Sequence, residues 1–343
     1  MKTLCSALVA GILLCLPLSL AAVTIEGQVR NFTFPEVMFN LLFGRFHLFM
    51  DDEIILPDAA GNFRYELEVD EIRFAQLKFK DKTIQLFLDP AAERLIVELD
   101  YAADDLALRF SGDSAAENTF INQRLYPNYH DKLRTLLPEQ SSNPDAVDHF
   151  ATEEETVEVD QLNEIRDQIS EANYELLRRE ISAYYLTIRL QAGNNIGWRN
   201  HEEYEAHWMM RSEELGKLID CQSANKFAPY FNHLIHTYYD HLRIKYYYLR
   251  SPADSTLWQQ RFGVNSEAAL ADLKRNDKYN VDLYAIGKAG FCEAIFEKLL
   301  SNRIFRSQRD GDYENLIRIY EAFEEQFPES KYLPVLKAGM ERI

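Results

Sequence analysis

The side chains best suited to chemistry fall close together in one segment: His233, His236, Asp240 and His241. On a helix, offsets of three, four and seven bring His233, His236 and Asp240 onto one face. Two imidazoles and a carboxylate so placed could hold a divalent cation. His201, Glu205 and His207 form a second set of the same kind. No second ligand set is evident for either, and His and Asp on the wet side of a helix account for both patterns. No metal ligand and no cofactor are assigned.

Thiol chemistry is the next candidate. Of the 4 cysteines, Cys5 and Cys15 lie in the apolar N-terminal run, which leaves Cys221 and Cys292. Thiol exchange needs a thiolate of lowered pKa and a second cysteine close enough to resolve the mixed disulfide. No Cys-x-x-Cys occurs, and no Cys/His pair has metal-ligand spacing. Two buried thiols acting as small hydrophobes are the favoured reading, and a single bridge in an oxidising compartment is the other. Gly-rich phosphate loops and a Gly-x-Ser-x-Gly elbow are absent as well. No catalytic residue is assigned, and the expected role is binding or scaffolding.

A stripe of rings runs from Phe227-Ala228-Pro229-Tyr230-Phe231 to Tyr246-Tyr247-Tyr248. Tyrosine offers broad contact area with a polar tip, so the stripe could form a groove for a peptide or glycan, although such stripes are more often core. Acidic residues outnumber basic ones, 55 to 37, for a net charge of -18. That field repels nucleic acid and anionic lipid and favours a basic protein or peptide as partner.

Two kinds of element position these groups. From Val23 to Phe110 apolar residues alternate, as in Phe63-Arg64-Tyr65-Glu66-Leu67-Glu68-Val69, and period two means half-buried strands. Turn residues separate expected strands near 23–31, 36–42, 45–50, 62–69, 73–79, 83–88, 94–100 and 105–111. After Ser111-Gly112-Asp113 the apolar spacing becomes three and four, and the rest reads as helical. One helical stripe runs from Asn163 to Leu190 and another from Phe227 to Leu249. Breaks are expected at Gly193-Asn194-Asn195, Ser251-Pro252 and Arg306 to Gly311, and Glu153-Glu154-Glu155 reads as a solvated helix start. Asp312 to Ile343 reads as a helical hairpin turning at Pro328. The fold expected is α+β: an antiparallel β-sandwich over residues 23–112 with its own core, then an α-helical domain over 113–343.

Residues 1–22 read as a secretory signal peptide, with Lys2 ahead of the apolar run Leu4 to Leu20 and small residues at Ser19 and Ala21. The run falls short of the roughly 20 residues that span a bilayer, and Pro17 would break its helix. Leu14 before Cys15 argues against a lipid anchor. The mature product is therefore expected in the periplasm or otherwise exported, with no integral membrane segment and with a protein or peptide partner in the envelope.

The order of features carries a resemblance. Asp58-Ala59-Ala60-Gly61-Asn62-Phe63 lies in the strand-rich part, and Phe87-Leu88-Asp89-Pro90 leads into Leu95-Ile96-Val97. Phe110-Ser111-Gly112-Asp113 then opens the helical region. The chain resembles the N-terminal part of exported TlpA-like thiol-disulfide oxidoreductases, in which a small DUF4369-like β-sandwich and a helical segment precede a thioredoxin domain. The Pro-Gly-Asp turn common in that group is here Pro90-Ala91-Ala92, and no Trp-Cys-x-x-Cys occurs before Ile343. The resemblance thus implies the sandwich and the helices, while the group's catalytic residues have no matching positions. The alternative function it implies is an oxidoreductase whose thioredoxin part is lost, truncated or supplied by another chain.

Overall fold

Alternation of apolar and polar residues builds the first half. In the computed structural model, which describes residues 22–31, 36–42, 52–79, 82–100, 107–123, 142–221, 228–248, 286–288, 290–310 and 316–342, the strands are β1 (Ala22–Arg30), β2 (Val37–Leu41), β3 (Glu53–Ile55), β4 (Asn62–Glu68), β5 (Arg73–Phe79), β6 (Lys82–Leu88), β7 (Arg94–Asp100) and β8 (Ala107–Gly112). They form two four-stranded sheets, ordered β4-β1-β7-β8 and β3-β2-β5-β6. Every pairing is antiparallel except β1 with β7, which is parallel. The inner faces meet through Val23, Ile25, Val97 and Leu99 on one side and Phe39, Leu77, Phe79, Ile84 and Leu86 on the other. Residues 1–21 of the signal peptide expected at 1–22, and the strand expected at 45–50, lie outside the described residues.

Gly27 stands opposite Phe63, whose ring lies over it. A Cβ at Gly27 would sit 2.0 Å from Phe63 Cζ. Phe63 is buried, so its ring has no easy place to go. We expect Gly27→Ala to cost about 1–3 kcal/mol through overpacking, read as a lower urea midpoint. An unchanged midpoint would mean that the ring swings away freely.

The second sheet is covered on its outer face too. Leu86, Phe87 and Leu88 are buried in succession, and Phe87 meets Phe74 edge-on at 5.5 Å. These two rings belong to the helical core, together with Phe120 and Ile121 of α1 (Ala115–Gln123). Helix α1 also closes the edge of β6. The Asn118 side chain accepts from Phe87 N at 2.9 Å and donates to Phe87 O at 2.9 Å. Asn122 does the same at Gln85, with 3.0 and 2.7 Å. Four helical residues rise about 6 Å and two strand residues about 6.8 Å, so one carboxamide per turn keeps step with every second strand residue.

The remaining helices pack around a long central one. They are α2 (Pro144–Glu164), α3 (Glu171–Gly197), α4 (His201–Glu203), α5 (Met209–Gly216), α6 (Pro229–Tyr248), α7 (Glu293–Asp310), α8 (Leu316–Gln326) and α9 (Leu333–Met340). A π turn, Tyr204–Trp208, joins α4 to α5. The stripe expected to run unbroken from Asn163 is interrupted: α2 ends at Glu164, a 3₁₀ turn follows, and Ser170 caps α3 by accepting from Asn173 N at 3.1 Å. Conversely, Gly193-Asn194-Asn195 is no break. A Cβ at Gly193 would lie 2.9 Å from Trp208, so glycine there admits the indole, and buried Asn194 donates to Thr237 O at 2.8 Å. Glu153–Glu155 lie in the middle of α2, whose start is set by the Asn143 cap and Pro144. Likewise α7 continues through the expected break to Asp310.

The terminal hairpin is present as α8 and α9, with Phe323, Phe327, Tyr332 and Leu336 buried and Ile317 facing solvent. Among the described residues, no helix is long and apolar enough to cross a membrane. Cys221 and Cys292 are bridged, with Cα atoms 6.4 Å apart. The favoured reading of two buried thiols is therefore corrected. Cys221 follows α5 and Cys292 precedes α7, so both sit on connections, Cys221 exposed and Cys292 partly buried against the helical core.

Candidate functional site

Where α6 crosses the outer face of the second sheet, the two halves leave a cleft of about 290 Å³. Its floor comes from strand alternation. Inner positions of β2, β5 and β6 feed the sandwich core, so Asn40, Gln76 and Gln85 point outward. The register pairs Asn40 with Gln76 and Gln76 with Gln85, giving a row of three carboxamides across adjacent strands. Leu42 and Phe74 border the row, Ile121 and Leu177 form walls, and Pro229, Tyr230, Asn232, His233 and His236 of α6 form the roof.

A buried acid holds that roof in place. The Glu180 carboxylate accepts from Tyr230 N at 2.9 Å and from Phe231 N at 3.1 Å, capping α6 from the neighbouring α3. A carboxylate at a helix N-terminus satisfies orphan N–H groups and meets the positive end of the dipole. Pro229 suits the first helical position, where no N–H is needed. Tyr230 packs edge-on against Tyr184 at 4.9 Å.

Both cleft histidines are held neutral at pH 7. Burial pushes His236 down to about 4, helped by His233, Lys298 and Arg306, and burial lowers His233 as well. Both residues are nonetheless exposed to solvent.

The residues singled out in sequence are only partly brought together. His233 and His236 share the cleft, whereas Asp240 accepts from Arg243 at 3.0 Å and its carboxyl is raised by burial against the opposing pull of that arginine. Among the described residues, no three His, Cys, Asp or Glu side chains are placed to hold a metal ion. His241 turns inward, fully buried, with Nδ1 hydrogen-bonded to the Tyr204 hydroxyl. The π turn buries Tyr204 and Trp208 and leaves Glu205 and His207 exposed. Of the ring stripe, Phe231 and Tyr239 are core and Tyr230 lines the cleft. Phe227 and the side chains of 246–248 lie outside the described residues.

Sequence reasoning missed Asn40, Gln76 and Gln85, because polar residues at alternate strand positions read as a wet face. Phe74 and Phe87 on that same face were the available sign that something covers it. A second hollow of about 440 Å³ lies between α1 and the end of α2, lined by residues such as Thr119, Gln123, Gln161 and Gln168. It gathers one titratable group, Glu164, and one ring, Phe120.

No family model matches the chain, and no curated protein matches it either.

Proposed function

We propose that the chain is an exported binding protein of the cell envelope, acting without catalysis. In this reading it is related to the N-terminal part of TlpA-like proteins and holds a protein or peptide partner in the cleft beneath α6. The observation that carries the reading is the cleft itself: apolar walls, a few convergent polar groups and a position at the junction of two structural units, as in ligand sites generally. The bridge between Cys221 and Cys292 supports a role other than thiol exchange, since both sulfurs are spent on the fold.

Filling the cleft tests this. Envelope peptides would be passed over immobilised wild type and Gln76→Trp, at low and high salt, after melting curves have shown both to be folded. We expect wild type to retain peptides that the variant releases, by about tenfold in amount. Adsorption to the acidic surface alone would fade with salt and ignore the variant. Equal retention by the two proteins at high salt would remove the cleft as the site.

A further inference from the structure

The shape of the cleft and the row of carboxamides on its floor narrow the ligand further. Resting on the reading above, we propose that the cleft takes one uncharged apolar side chain of an extended peptide, whose adjoining main-chain amides pair with the Gln76 and Gln85 carboxamides, while Asn40 is held by Asp52 at 2.8 Å.

A carboxamide offers one acceptor and two donors, which matches the N–H and C=O of a peptide unit. The chain already uses this pairing along β6 itself. Asn118 and Asn122 each grip a backbone N–H and C=O of β6. On the cleft side, Gln85 Oε1 is buried and has no hydrogen-bond partner among the described residues. An acceptor so placed calls for an N–H donor.

Charge in the bound segment is disfavoured. Both oxygens of Glu180 are engaged by the start of α6, and His233 and His236 are neutral. Asn40, Gln76, Gln85 and Asn232 supply the rest of the polar lining, all without charge. An anionic anchor would lose its hydration with no full countercharge in the lining to replace it, and a cationic one would meet only the Glu180 carboxylate, whose two oxygens already accept from Tyr230 N and Phe231 N. Lys298 and Arg306 bear on His236 from α7, which makes a carboxylate the sharpest competitor. Size sets the remaining limit. At about 290 Å³ the cleft stands at the lower end of ligand sites, which run from about 300 to 1,000 Å³. It admits one Leu- or Phe-sized group with its flanking amides, and Leu42, Phe74, Ile121, Leu177 and Tyr230 supply apolar contact for it. The acidic surface outside, net -18 for the whole chain, favours basic residues flanking the anchor without requiring them inside.

Saturation-transfer NMR on the full chain decides the matter, with four probes: N-acetyl-leucinamide, N-acetyl-leucine as the anion, leucinamide as the cation, and methyl glucoside. The proteins are wild type, Gln85→Met, which removes the acceptor at similar volume, and Gln76→Trp, each checked by thermal melting. We expect the neutral amide to bind wild type about tenfold more tightly than the other three, to weaken at least about fivefold in Gln85→Met, and to be lost in Gln76→Trp. Equal or better binding of the anion, the cation or the glucoside overturns the proposal, as does indifference to Gln85→Met or silence from every probe. If peptide retention is lost in Gln76→Trp while the neutral amide shows no preference, the cleft remains the site and only its ligand class is wrong. If retention and probe binding are both indifferent to Gln76→Trp, the cleft reading falls with it.

Discussion

Breaking the Cys221–Cys292 bridge is expected to cost the folded chain about 4 kcal/mol, because the closed loop spans a sequence separation of 71 and its closure restricts the unfolded chain. The bridge fastens the segment after α5 to the start of α7, on either side of α6. Urea unfolding would compare the oxidised wild type, the same protein with dithiothreitol, and Cys221→Ser, Cys292→Ser. The reduced protein and the variant should share one lowered midpoint. Coincidence of all three curves would show that the bridge contributes nothing to stability. The same proteins serve in an insulin-reduction assay, where equal rates for wild type and variant are expected if the chain performs no thiol exchange. A faster wild type would favour the oxidoreductase alternative.

Acid should destabilise the protein well above the carboxylate range. His241 is fully buried, and burial pushes its imidazole down to about 4, with Glu213 raising it and Lys245 lowering it by smaller amounts. The folded pKa thus lies below the unfolded value of 6.5. As pH falls through 6.5 the unfolded chain takes the proton first, so stability is full above that value and declines toward pH 4. The gap corresponds to about 3 kcal/mol by the time the lower pKa is reached. Urea midpoints measured from pH 7.5 to 4.5 on wild type and His241→Asn test this. The variant should be less stable at neutral pH, having lost the imidazole paired with Tyr204, yet its stability should fall less steeply, by up to about 1.4 kcal/mol per pH unit. Parallel slopes would assign the acid sensitivity to other groups.

The sequence pattern located seven of the eight described strands, because each has one face on the sandwich core and alternates accordingly. Strand β3 escaped notice: it is three residues long, with Glu53 and Ile54 exposed, and three residues are too few for alternation to register. Helix boundaries failed where tertiary contacts overrode local preference. Gly193 looked like a stop until Trp208 was seen to need the space, and the apolar run through Ile165 and Ile169 concealed the Ser170 cap. The site was the least legible part. Histidines on α6 were visible as a cluster, but which of them faced a cavity depended on α3 delivering Glu180 to the start of that helix. The floor was hidden altogether, since three amides in separate strands become one row only through register.

The two asparagines on α1 change where one module ends and the next begins. An open strand edge is a template for pairing with a second copy of the chain. At β6 that edge is occupied by side chains borrowed from a helix, so α1 serves as an honorary strand. The turn at Gly112 looks like a natural seam, yet cutting there would strip the N–H and C=O of Gln85 and Phe87 and uncover the Phe74–Phe87 pair in one stroke. A segment that runs on to Gln123 keeps this edge covered, although its Phe74–Phe87 face still packs against the later helices. A graft or fusion that respects this limit carries its own edge protection with it, and one that stops at the seam exports an adhesive strand.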